Sequence, residues 1–250
     1  MEQQTDLRKF YKIILTFVMF LACCLNIKTT SACSANQILT HDPNNISKVR
    51  CINSPQPPYI NLQYPFNQEH ATFCSQGNSN LSGSHSHDSI LFAVDFLTPP
   101  SQPAAEIHAA HSGIAYVYDE CNFRKNQYKY SHLDDCGSGY GNHVRVLHPS
   151  GYLTMYAHLS KVVVKHKSWI NIGEIIGIEG LSGNAGKRHL HFSLHRPENL
   201  DLIEIEPGYT GQSIPFNMRF SIGDEEQLLA STTIPCDNNL SAALLRGVKK

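Results

Sequence analysis

The stretch His189-Leu190-His191-Phe192-Ser193-Leu194-His195 alternates without a break. Successive side chains of an extended chain point to opposite faces. Leu190, Phe192 and Leu194 therefore share one side, and His189, His191, Ser193 and His195 the other. Such a segment suits a strand with one face in a core and one in a polar site. Two further stretches read the same way. Residues 90–96 set Ile90, Phe92, Val94 and Phe96 against a lone Asp95. Residues 152–159 set Leu153, Met155, Ala157 and Leu159 inward, with Tyr152, Thr154, Tyr156 and His158 opposite. Clusters of Gly, Pro, Ser and Asn separate these stretches from about 73 to 197, the pattern of an antiparallel all-β architecture. Only the last forty residues offer amphipathic helices, expected as short ones at 225–230 and 240–248.

The polar faces carry the chemistry. Two histidines separated by one strand residue lie about 7 Å apart, too far for both to act easily on one atom. That suits one holding a metal while its neighbour handles water or substrate; both can also be ligands, and spacing leaves the two open. Asp95 needs a partner, because a buried, unpaired carboxylate costs several kcal/mol. His85 and His87 lie just upstream in a Ser/Gly/His loop. One His, one Asp and another His make a three-ligand zinc site with a fourth position open for water, the pattern of catalytic zinc. Each residue alone has an ordinary reading: a solvated loop imidazole, a turn-capping carboxylate, a half-buried strand histidine. Their joint order points to metal chemistry.

The whole chain fits this picture. Its 250 residues, 41% hydrophobic and 16% charged, suffice for one good-sized domain with modest extensions. Arg8, Lys9 and Lys12 precede an apolar run at 13–25, and Thr30-Ser31-Ala32 offers small residues for cleavage. That run is short for a bilayer span, so residues 1–32 are expected to be a secretory signal and the mature protein to be secreted or periplasmic, without a membrane part. A lipoprotein signal at Leu21-Ala22-Cys23 is disfavoured by bulky Phe20 and Leu21. Cleavage leaves six of the eight cysteines, an even number that implies disulfides, and Cys121 with Cys136 across a polar loop is the best single pairing. No CxxC or HExxH motif is present. Removing four basic and two acidic residues takes the net charge from −1 to −3, so nothing resembles the basic stripe of a nucleic-acid binder. Residues 33–72, broken by Pro55, Pro57, Pro58 and Pro65, read as an N-terminal extension, 73–197 as the main domain, and 198–250 as a C-terminal extension.

Tyr156-Ala157-His158-Leu159, the spaced Gly173, Gly177, Gly180 and Gly183, and then His189-Leu190-His191-Phe192 resemble the LytM/lysostaphin-type metallopeptidases. Gly139-Tyr140-Gly141-Asn142 ahead of 144–148, and the stretch 107–113, are similar to that family as well. The resemblance implies a compact antiparallel β-sheet or sandwich domain, a duplicated hybrid motif, with a loop-walled groove. It implies a monomeric zinc endopeptidase that cuts peptide cross-links of bacterial peptidoglycan. It assigns Zn²⁺ to His87, Asp95 and His191, and the handling of water and oxyanion to His189 and His158. Asn142 and Tyr156 are implied to line the groove. One departure stands out. The family motif is HxxxD, whereas seven residues separate His87 from Asp95, and Phe92-Ala93-Val94-Asp95-Phe96 resembles a branch whose histidine lies further upstream. His85 competes with the preferred His87. Were neither a ligand, the domain would be a non-catalytic binding or regulatory module of the cell wall.

Overall fold

The computed structural model describes residues 37–42, 45–53, 61–67, 69–77, 84–121, 135–222, 225–230 and 245–246. The signal reading of 1–32 lies outside them. Apart from Gln37, the elements belong to one unit spanning residues 38–250. In chain order they are β1 (Gln37–Asp42), β2 (Asn45–Asn53), β3 (Asn61–Gln63), β4 (Phe73–Gln76), β5 (Val94–Leu97) and β6 (Glu106–His108). Next come β7 (Gly113–Tyr118), β8 (Asn142–Leu147), β9 (Leu153–Leu159), β10 (Lys161–Val162), β11 (Trp169–Ile170) and β12 (Ile175–Ile178). After β13 (Leu190–Arg196) and helix α1 (Leu200–Ile205) follow β14 (Gln212–Ile214), β15 (Asn217–Ile222), β16 (Glu225–Ala230) and β17 (Leu245–Arg246). The fold is all-β, as its sequence pattern implies.

Eight strands form the main antiparallel sheet, ordered β11-β7-β8-β9-β13-β5-β4, with β14 also beside β13. A second sheet is β10-β12-β6, and β15 joins β16, β17 and, in parallel, β3. The alternation of β13 sets the register. Phe192 lies opposite Val94 on one side and Tyr156 on the other, while His191 lies opposite Asp95 and Ala157. Directly opposed residues share a face of the sheet. One face therefore collects Val94, Tyr156, Leu190, Phe192 and Leu194, which cluster with Ile107 and Ile176 of the second sheet. Phe192 meets Tyr156 at 5.2 Å and Phe216 at 5.3 Å, both near perpendicular. Burying each such ring contributes about 1.5–3 kcal/mol. Leu62, Tyr64, Phe66, Phe216 and Met218, from either side of residues 73–197, belong to the same cluster.

The other face of the sheet is covered as well. The segment after β13 crosses over it, and the buried Arg145 donates from Nη1 to the carbonyls of Glu206 (2.9 Å) and Tyr209 (2.7 Å). This double cover corrects the inward set expected for β9. All seven residues of β9 are buried, and Tyr156 rather than Ala157 faces the apolar core. His158 adopts φ 63°, a left-handed conformation that inserts a bulge and inverts the alternation. Leu159 consequently joins Tyr156 in the core cluster.

Other expectations also change. Of residues 90–96, only Val94 onward is strand; a turn precedes it, with Ile90 N–H bonded to the His87 carbonyl and Ala93 N–H to that of Ile90. Glu225–Ala230 is strand β16, not a helix, because its backbone pairs along the whole of β15 and tertiary pairing outweighs local propensity. Of 240–248, only Leu245–Arg246 lies within the described residues, and it too pairs with β15. The one described helix, α1, was not anticipated; Asn199 caps it by accepting the Asp201 N–H at 3.0 Å. Cys121 and Cys136 form a disulfide, as expected. Among the described residues no helix is long and apolar enough to cross a membrane.

Candidate metal centre

Register brings the first two groups together. With β5 antiparallel to β13, Asp95 lies directly across from His191, and His191 Nδ1 is 3.0 Å from Asp95 Oδ1. His85 approaches the same oxygen with Nε2 at 3.3 Å, and His189 with Nε2 at 3.8 Å. His85, Asp95 and His191 are all buried, and each offers a ligand atom within 4.8 Å of the others. The structure thus gathers His85, not the preferred His87, with Asp95 and His191. His87 is exposed at the groove rim, since its carbonyl opens the 87–90 turn, whereas His85 turns inward and is anchored by the Gly77 carbonyl at 3.0 Å.

The electrostatics favour positive charge at this point. A carbonyl only accepts, so His85 Nδ1 donates to Gly77 and leaves Nε2 facing the carboxylate. At 3.3 Å from Asp95 Oδ1, that nitrogen is stabilised by carrying a proton or by sharing a cation with the carboxylate. Burial alone would pull the His85 imidazole down, but the Asp95 hydrogen bond and charge lift it above its usual value. Burial likewise works to raise Asp95, yet His191, His85 and His189 hold it well below the carboxylate range. Burial keeps His191 low despite Asp95, and its Nε2 has no hydrogen-bond partner. Two imidazoles and a carboxylate suit a divalent metal of the zinc class.

Two further imidazoles stand beside this group. The left-handed turn at His158 carries its ring out of the core face to 4.6 Å from His189 and 5.8 Å from His191. His158 Nδ1 donates to the Ser182 carbonyl at 2.9 Å, and His189 Nδ1 to that of Lys187 at 2.7 Å. Each bond fixes a tautomer whose Nε2 is free to accept a proton. Burial and the neighbouring His189 and His191 push His158 well below the ordinary histidine value. All of these groups line one cavity of about 700 Å³, with Ser75, Tyr140, Asn184 and Lys187 on its walls.

Two expected lining residues lie elsewhere. Tyr156 is fully buried, its hydroxyl accepting the Ala110 N–H at 2.7 Å, because the bulge at His158 leaves Tyr156 on the core face. Asn142 is turned away from the groove: its side chain accepts from Cys121 N–H (2.9 Å) and donates to Cys121 O (3.2 Å). Tyr140, whose ring lies 5.7 Å from His191, takes a lining place that sequence reasoning did not give it. Its flanking glycines were the available signal.

Fold and site together define a β-sheet protein with a candidate His/Asp/His metal centre at the foot of an open groove. Residues 92–202 match Peptidase family M23. It is 41% identical over 54 residues to the peptidoglycan DD-endopeptidase ShyA of Vibrio cholerae, a match covering 22% of this chain and 13% of that protein. It is 40% identical over 55 residues to the cell division protein DipM of Caulobacter vibrioides, covering 22% and 9%. The chain thus spans less than a fifth of either relative. Among solved structures it is similar to the catalytic domain of the prophage-encoded M23 protein EnpA from Enterococcus faecalis, at 19% identity and TM-score 0.39 over 57% of this chain and 87% of that one. It is also similar to the catalytic domain of lysostaphin from Staphylococcus simulans, at 23% identity and TM-score 0.35 over 51% and 80%.

Proposed function

We propose that this protein is an exported, monomeric, zinc-dependent endopeptidase that hydrolyses peptide cross-links of bacterial peptidoglycan. The observation that carries this reading is the convergence of His85, Asp95 and His191 on one point beside two further imidazoles. The M23 match and the peptidoglycan endopeptidase named among the relatives support the substrate class. His85, Asp95 and His191 would hold the zinc, which when bound supplies the Lewis acid and activated water of metal-assisted hydrolysis.

The chain's own residues do the rest. His189 Nε2 takes a proton from the attacking water, and Asp95 at 3.8 Å stabilises the imidazolium that results. His158, held neutral in the resting site by burial, receives that proton from His189, whose ring centroid lies 4.6 Å away, and donates it to the oxyanion or the departing amine. The Lys187 and Ser182 carbonyls keep both rings in the working tautomer. The open groove admits an extended peptide.

Purified protein should carry about one zinc per chain and release soluble fragments from isolated peptidoglycan, and a chelator should stop that release. Undiminished release by both His191→Ala and His189→Ala would overturn the proposal. Binding to peptidoglycan with neither zinc nor release would instead identify a non-catalytic wall-binding module. Sequencing the exported protein, expected to begin at Cys33, checks the signal.

A further inference from the structure

His158 carries a cost. Non-glycine residues in the left-handed region are disfavoured by about 1–3 kcal/mol at most sites, and persist only where the surroundings over-determine them. Two glycine turns supply those surroundings. Gly141 (φ 66°) and Gly183 (φ 71°) press backbone to backbone, and a Cβ on either would overlap the other turn. From the first turn, the Tyr140 carbonyl accepts the His158 N–H at 2.8 Å. From the second, the Ser182 carbonyl accepts His158 Nδ1 at 2.9 Å. His158 is thus gripped at backbone and ring by two different loops.

Those loops are tied together and then to a disulfide. Ser182, almost fully buried, accepts the Asn142 N–H with Oγ at 2.8 Å and donates to the Leu159 carbonyl at 2.8 Å. Asn142 bonds both backbone groups of Cys121 through its side chain. Cys121 is disulfide-bonded to Cys136, whose carbonyl accepts the Gly141 N–H at 3.0 Å. Every step from the disulfide to His158 is a covalent or a hydrogen bond.

We infer that Asn142, Ser182 and the Cys121–Cys136 disulfide form a latch that positions His158, so the site reaches full activity only in the oxidised protein. The inference rests on the proposed peptidase reading for its kinetic arm alone. Asn142 and Ser182 are positioning residues, acting through His158.

The test uses the full-length exported protein with zinc bound, in wild type, Asn142→Ala, Ser182→Ala and the double variant Cys121→Ser/Cys136→Ser. Outer-shell partners of site histidines are worth about 10–100-fold in activity. Each variant should therefore lose about 10–100-fold in kcat, with KM within about twofold and zinc content unchanged. Nitrogen-15 spectra of the imidazoles should show His158 as the Nδ1–H tautomer in wild type and as a tautomer mixture in the variants. A wild-type His158 spectrum in all folded variants, with kcat within about twofold, would overturn the latch. If the alanine variants do not fold, the cysteine variant decides by the same two readings. If wild type cleaves nothing, the peptidase reading fails, and the His158 spectra still decide the latch.

Discussion

His191 and His195 lie on the same face of β13, four residues apart and both buried. They differ in what the next strand sets across from them. The free edge of β13 is shared: β5 pairs with its first half and places Asp95 opposite His191, while β14 pairs with its second half and places Ser213 opposite His195. His191 therefore meets a carboxylate, a second imidazole and an open groove. His195 accepts from Ser193 Oγ at 2.6 Å, donates toward the Gly211 carbonyl at 3.4 Å, and lies beneath the covering segment. Burial depresses both imidazoles, His195 to about 3. Burial alone thus makes a neutral, structural histidine. A carboxylate in register makes a ligand candidate.

The sharpest way to break this comparison is to delete each ring. His191→Ala should abolish zinc binding and cut peptidase activity at least about 10⁴-fold, some 5.5 kcal/mol of barrier. His195→Gln should lower stability yet keep one zinc per chain by elemental analysis. Equal loss of zinc in both would remove the distinction.

The second test is acid titration of stability. His195 is neutral in the folded state down to about pH 3, against 6.5 when unfolded. Above pH 6.5 neither state binds this proton, so nothing is lost. Below it the unfolded chain alone protonates, and stability falls progressively toward pH 3 by at most about 5 kcal/mol. Urea unfolding across this range should show a shallower acid loss in His195→Gln than in wild type.

A third, smaller contrast separates the loop histidines. His85→Ala should weaken zinc binding at least about 100-fold, roughly 2.7 kcal/mol, while His87→Ala stays within about threefold. Competition with a chelator of known affinity reads both. The smallest effect is expected from Ser193→Ala, which strips His195 of one hydrogen bond and should cost about 1–2 kcal/mol in urea unfolding with zinc retained.

Much of this was legible in the residues. The alternation of Leu190, Phe192 and Leu194 with His191, Ser193 and His195 gave β13, and the lone Asp95 among apolar neighbours gave the acidic partner. The two motifs around His158 and His191 gave the family. Other features were not legible. His85 wins over His87 because the Gly77 carbonyl catches its ring, a contact that no spacing rule encodes. Tyr156 and His158 both fell on the polar side in the period-2 reading, and a single left-handed residue sends them to opposite faces. Asn142 belonged to a motif near the site, so a lining role was natural; its side chain instead faces Cys121.

By itself the sequence determined which segments are extended, which faces are apolar and which side chains are equipped for metal chemistry, since side-chain alternation is a property of the local backbone. Only the tertiary structure decided which imidazoles meet the carboxylate. That choice depends on strand register, one bulge and loop hydrogen bonds made between residues distant in the chain, where covalent geometry imposes no period.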